Sequence, residues 1–161
     1  MDETPRKAEL PRLLARRLAR LKAEAVAARR PDALVLAADT VVGVGRRILG
    51  KPADEAEARR FLALMSGRRH RVTTGVCLVL PGGTVRERLV TTILTFQRLT
   101  EAQIADHLAR TAEWRGAAGG YMIQGRAEAW VRALSGSHSN VVGLPLFETA
   151  SLLRGCGWLR P

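Results

Sequence analysis

Asp39 closes the apolar run Leu34-Val35-Leu36-Ala37-Ala38, and Lys51 follows in a Gly50-Lys51-Pro52 turn. A short apolar run reads as a buried strand. Open α/β sheets take their ligands at the carboxyl ends of strands. A carboxylate there can hold a metal or activate water, and a lysine there can neutralise phosphate. Together the two residues point to phosphoanhydride chemistry. The plainer readings are a turn cap for Asp39 and an exposed loop lysine for Lys51. Gln124, in Tyr121-Met122-Ile123-Gln124-Gly125, carries a donor and an acceptor side by side. It could read a base edge, or make a strand-end hydrogen bond. Asn140, in the run Ser137-His138-Ser139-Asn140, could orient a loop, but an Asx-turn is the expected arrangement.

Other chemistries find little support. His70, His107 and His138 are dispersed without metal-ligand spacing, and all three read as structural or exposed. Cys77 lies in a strand pattern and reads as a buried thiol. Neither a Gly-x-x-x-x-Gly-Lys-Ser/Thr loop nor a Gly-x-Ser-x-Gly elbow occurs, and the lone Gly43-Val44-Gly45 is weak.

The elements that must position these residues can be read in order. Residues 9–29 form an amphipathic helix with Leu14, Leu18, Leu21 and Ala25 at helical spacing and Pro11 near its start. Residues 34–38 are the buried strand, and 41–49 a second short strand or hairpin arm. A helix is expected over 53–65, with Gly67 at its C-terminal cap. Strands follow over 71–80 and 85–97 around the Pro81-Gly82-Gly83 turn. Thr100 and Gln103 make a capping box for a helix to about residue 110. A glycine-rich segment over 114–125 permits tight turns and close backbone approach. A short helix over 128–134, a loop over 136–145 and a helix over 147–154 complete the chain. Helices and strands are mixed, so the class is α/β or α+β, with a mixed twisted sheet flanked by helices.

The length of 161 residues suits one domain. No apolar run reaches the roughly 20 residues of a membrane helix. Two cysteines make no disulfide framework, which favours a cytoplasmic protein with free thiols. The net charge of +11 invites a nucleic-acid reading. The arginines, however, are scattered in pairs such as Arg16-Arg17 and Arg59-Arg60, and aromatic content is 4%. That argues against a base-stacking platform and leaves a solvated surface or an anionic small molecule as the better explanation of the charge.

Five segments carry a resemblance. Ala-Asp-Thr-Val-Val at 38–42, Gly-Lys-Pro at 50–52, Glu-Trp at 113–114, Ala-Gly-Gly-Tyr-x-Ile-Gln-Gly at 118–125 and Asn-Val-Val-Gly-Leu-Pro at 140–145 stand in the order and spacing of the Maf family. This is the septum-formation-inhibitor, or nucleoside triphosphate pyrophosphatase, family, and the chain resembles it over nearly its whole length. The resemblance implies an ITPase-like α/β fold, often dimeric. It implies hydrolysis of a nucleoside triphosphate to the monophosphate and pyrophosphate with a divalent metal, Mg²⁺ or Mn²⁺. On the matching positions, Asp39 is similar to the family's proton acceptor, and Glu3 with Asp39 to its metal-site carboxylates. Lys51 is similar to its phosphate-binding lysine, and Lys22 to a second basic residue of the site. Thr40 and Gln124 are similar to the pair that marks the dTTP/UTP-preferring branch.

The family pattern also places a strand and a Ser-x-Ser-x-Arg-Arg loop upstream of the Asp2-Glu3 pair. The expectation is therefore one N-terminally truncated domain over residues 1–161, with an unpaired edge in its sheet. Ala117 stands where the family carries a basic residue, which removes positive charge near the site. A nucleotide-binding remnant without turnover and a basic nucleic-acid binder are the alternative functions.

Overall fold

A computed structural model describes residues 2–160. The elements run α1 (Pro11–Ala27), β1 (Val35–Val44), β2 (Arg47–Leu49), α2 (Glu55–Met65), β3 (Arg69–Val79), β4 (Val85–Phe96), α3 (Glu101–Arg110), α4 (Glu113–Gly116), β5 (Val131–Ser135), α5 (His138–Val142) and α6 (Leu146–Gly155). The five strands form one sheet in the order β2-β1-β3-β4-β5, and every ladder among the described residues is antiparallel. The α/β class with a helix-flanked sheet is what is observed.

Local chemistry explains most of the boundaries. Pro11 opens α1 at a position where its missing N–H costs nothing. Asp54 caps α2 by accepting from Glu57 N at 2.7 Å. Gly67 follows α2 with φ +65°, the left-handed turn that ends a helix. Thr100 and Gln103 make the expected capping box of α3.

Three expectations are corrected. The run after residue 38 does not break at Asp39. β1 continues through Thr40, Val41 and Val42, β-branched residues that keep pairing with β3 as far as Gly43↔Arg71. Asp39 thus lies in mid-strand, not at a strand end. The helix expected over 128–134 is a 3₁₀ segment, Arg126–Trp130, followed by β5. The β4 edge captures Ala133, Leu134 and Ser135 by ladder bonds that local propensity does not anticipate. The loop expected over 136–145 contains α5, capped by Ser137 Oγ accepting from Asn140 N at 3.1 Å.

The strand period of two divides the sheet into two faces. On one face, α1 lays Leu14, Ala15 and Leu18 against Val41, and Ala19 and Ala23 against Val35, Cys77 and Val79. Burial pushes the Cys77 thiol up to about 11 and keeps it protonated. On the other face, Val42, Val72, Leu94 and Phe96 pack with Leu62 and Met65 of α2, Ile104 and Leu108 of α3, and Trp114, Tyr121 and Trp130. α6 adds Leu152 over Val76 and Leu78. At Gly75, paired with Asp39, α1 approaches the sheet closely. A Cβ there would lie 2.5 Å from the Ala15 carbonyl oxygen. On its other side, β1 pairs with β2 only through Val42, Gly43 and Val44. Among the described residues, the Val35 to Val41 stretch has no strand neighbour on that side.

Candidate active site

Asp39 and Thr40 are adjacent on β1, so their side chains leave opposite faces of the sheet. Each faces an opening. Asp39, Thr40 and Lys51 line both openings, which they join into one cleft. The first cavity, about 280 Å³, is bounded by Thr40, Val42, Val72, Gln124, Val142 and Gly143, with Asp39 and Lys51 at its rim. The second, about 250 Å³, is bounded by Glu3, Lys22, Asp39, Lys51, Leu18 and Ile48. All six sequence-predicted site residues therefore meet around one stretch of β1.

The charged half is set by α1. Lys22 projects from the helix onto Asp39, which its ammonium contacts directly, and also lies 3.2 Å from Glu3 Oε1. Burial raises the Asp39 carboxyl above its ordinary 3.8, against the opposing pull of Lys22. For Lys22, burial works against the ammonium, but Asp39 and Glu3 together outweigh it and its pKa rises. The result is a half-desolvated carboxylate with more basicity than a free one, beside a lysine that stays charged. Lys51 has no ion-pair partner among the described residues and remains exposed at the rim.

Glu3 is held in place by residues the sequence reading did not single out. Arg17 donates through Nε and Nη2 to Glu9, each at 2.8 Å, and through Nη2 to the Thr4 carbonyl at 3.0 Å. The Arg17 hydrogen bonds hold the Glu9 carboxyl down at about 2, against burial. This fork ties the segment carrying Glu3 to the helix carrying Lys22. No local pattern signals it, because the partners meet only once that segment folds back on α1.

The neutral half depends on the glycine-rich segment. Gly119 and Gly120 adopt φ +76° and +79°, which glycine alone adopts freely. Gly119 N donates to the Gly50 carbonyl at 3.0 Å, so this segment and the Lys51 turn are stitched together. Tyr121 Oη and His70 Nε2 share a hydrogen bond of 2.7 Å. His107 Nε2 lies 3.2 Å from the Gly120 carbonyl, so that nitrogen carries the hydrogen. Gln124 follows in an exposed turn that faces the first cavity. Ala117 does line that cavity, so the side chain that replaces the expected basic residue leaves the wall uncharged.

Both buried histidines are structural, as the sequence suggested, and His138 is exposed. Burial lowers the His70 pKa from 6.5 to about 4. The unfolded chain therefore binds this proton first as pH falls, and the folded state loses stability between about pH 6.5 and 4. The loss is on the order of 3 kcal/mol. Urea midpoints measured across that window should fall more steeply in the wild type than in His70→Gln. Parallel curves would show that His70 does not cause the acid sensitivity.

Asn140 is not in an Asx-turn and not in the cavity. It is fully buried beneath the cavity, where Nδ2 donates to Val72 O and Thr92 Oγ1, each at 3.0 Å. It pins α5 to the sheet, and with it the Val142-Gly143 wall. The Asx expectation failed because local turn chemistry cannot see β3 and β4 arriving beneath the residue.

An antiparallel sheet clasped by helices carries a carboxylate and two lysines beside an amide-bearing pocket, an arrangement suited to a nucleotide phosphohydrolase. The Maf-like family model matches residues 1–156, and the chain belongs to that family. It is 60% identical over 158 residues to the dTTP/UTP pyrophosphatase of Paramagnetospirillum magneticum, covering 98% of this chain and 83% of that protein. It is 62% identical over 157 residues to the dTTP/UTP pyrophosphatase of Sphingopyxis alaskensis, with 98% and 82% covered. A third protein of that name, from Rhodospirillum rubrum, is 58% identical over 158 residues, with 98% and 75% covered.

Proposed function

We propose that this chain hydrolyses dTTP and UTP to the monophosphate and pyrophosphate. One observation carries the reading. Thr40 and Asp39 are neighbours on β1 whose side chains leave opposite faces of the sheet, and with Lys51 they line both halves of one cleft. A base seated against Thr40 and Gln124 directs its phosphates toward Asp39, Lys22 and Lys51. The names of the relatives support the same substrates.

Asp39 takes a proton from water as the water oxygen bonds to the α-phosphorus. The bond from the α-phosphorus to the bridging oxygen breaks, and pyrophosphate leaves. Lys51 and Lys22 neutralise the charge that accumulates on the departing oxygens. Lys22 turns from the carboxylates to the phosphates as they arrive. Thr40 and Gln124 hold the base edge, since an amide offers a donor and an acceptor together.

The carboxylates suit a divalent cation. Glu3 and Asp39 converge on a single positive group, the Lys22 ammonium. Glu3 and Asp39 would hold the cation, since two hard oxygen donors around a cationic position match what Mg²⁺ or Mn²⁺ takes from protein. Bound there, the cation supplies charge neutralisation to the triphosphate.

The reading carries with it a cytoplasmic location and a homodimer. No helix among the described residues is long and apolar enough to cross a membrane. Beside the cleft, Val142, Leu146 and Phe147 expose apolar surface suited to a second copy. Sedimentation at micromolar concentration should give twice the chain mass, and a monomer there removes the dimer from the account.

Reaction in ¹⁸O-water tests the bond cleaved. Label should enter the nucleoside monophosphate, with pyrophosphate unlabelled. Release of nucleoside diphosphate and inorganic phosphate would place attack at the γ-phosphorus and overturn the mechanism.

A further inference from the structure

We propose that Thr74 is a positioning residue for base recognition. It accepts a hydrogen bond from the Thr40 hydroxyl, so Thr40 shows the cavity only a lone pair, and the site selects pyrimidines that carry hydrogen at N3. The inference rests on the pyrimidine nucleotide reading above.

Thr74 is fully buried on β3, directly opposite Thr40 on β1. Its Oγ1 donates to the Asn140 carbonyl at 3.0 Å. A carbonyl only accepts, and a hydroxyl has one hydrogen to give. The 2.8 Å contact between the two threonine Oγ1 atoms therefore takes its hydrogen from Thr40. The other polar neighbour of Thr40 Oγ1 is the Gly143 carbonyl at 3.4 Å, again an acceptor. Toward either neighbour the Thr40 proton points into the protein. What remains for the cavity is an oxygen lone pair. Asn140 secures the far end of this relay, because the two side-chain bonds from its Nδ2 keep its carbonyl over Thr74.

Fixed polarity matters because Gln124 lacks it. A terminal amide can turn over, serving a carbonyl at C4 of uracil or an amino group at C4 of cytosine equally well. Discrimination therefore falls to the group that cannot reverse. Uracil and thymine bring a hydrogen at N3 to the Thr40 lone pair. Cytosine brings a lone pair of its own, and both acceptors go unsatisfied on desolvation.

The experiment compares kcat/KM for UTP and CTP in the wild type, Thr74→Val and Thr74→Ser. The wild type should prefer UTP. Thr74→Val removes the nearer inward acceptor and leaves only the long 3.4 Å contact to the Gly143 carbonyl, so the Thr40 proton can turn to the base and the UTP/CTP ratio should fall on the order of 10-fold. Thr74→Ser keeps the acceptor and should restore the ratio. If the valine variant does not fold, Thr74→Ala provides the same readout. An equal loss for both substrates, with the ratio unchanged, would reduce Thr74 to packing and overturn the proposal. So would a wild type that takes UTP and CTP alike. A wild type that hydrolyses neither fails the functional reading itself, which is a separate result.

Discussion

Asp39→Asn should keep the fold and lower pyrophosphate release on the order of 10³-fold, the scale of a lost general base. The substitution is nearly isosteric, and the amide can still touch Lys22, so the packing of α1 on the sheet is preserved. What disappears is the proton acceptor. Nucleotide binding should survive, because Thr40, Gln124 and Lys51 are untouched. The pH profile gives a second readout. Burial raises the Asp39 carboxyl above 3.8, so the wild-type rate should fall as pH drops through that raised value and protonates the base. The residual rate of the variant should lack this acid limb. Full activity in Asp39→Asn would assign the base elsewhere.

Gly75→Ala should be the most damaging single methyl group in the chain. The added Cβ would stand 2.5 Å from the Ala15 carbonyl oxygen, 2.8 Å from its carbonyl carbon and 2.9 Å from Arg16 Cα. All three are backbone atoms of α1, so no side chain can swing aside and the helix itself must lift. Overpacking of this kind costs about 3 kcal/mol, or roughly 10 °C in melting temperature for a domain of this size. The site suffers as well, because Gly75 pairs with Asp39 and the displaced helix carries Lys22. Turnover should fall even at temperatures where the variant is folded. A melting temperature within about 2 °C of wild type would show that α1 has slack against the sheet.

The residues of the candidate site were largely legible in the sequence. Asp39, Lys51 and Gln124 stand out because each polar group interrupts an apolar or glycine-rich run, and the structure gathers them around one cleft. Glu3, Lys22 and Thr40 came only through the family resemblance, since a lysine on a helix face or a threonine in a strand carries no signal alone. α1, α2, α3 and the β3–β4 hairpin follow from periodicity and caps that act over a few residues. The failures share a cause. Asp39 looked like a strand end because a carboxylate interrupts the apolar pattern, yet its β-branched neighbours keep the ladder going. The residues of β5 looked helical because their strand character comes from β4 alone. Asn140 looked like a turn because its partners, Val72 and Thr92, are some 50 to 70 residues away in sequence. The Arg17–Glu9 fork and the partners of the histidines behind the glycine-rich segment were invisible for the same reason.

The most direct test is pyrophosphate release by this chain from UTP and dTTP in Mg²⁺ or Mn²⁺, with ATP and GTP as controls. The account predicts release from both pyrimidine nucleotides and far less from the purines, because Thr40 and Gln124 frame a pocket for the smaller ring. No release from the folded chain, or a preference for ATP or GTP, would contradict it.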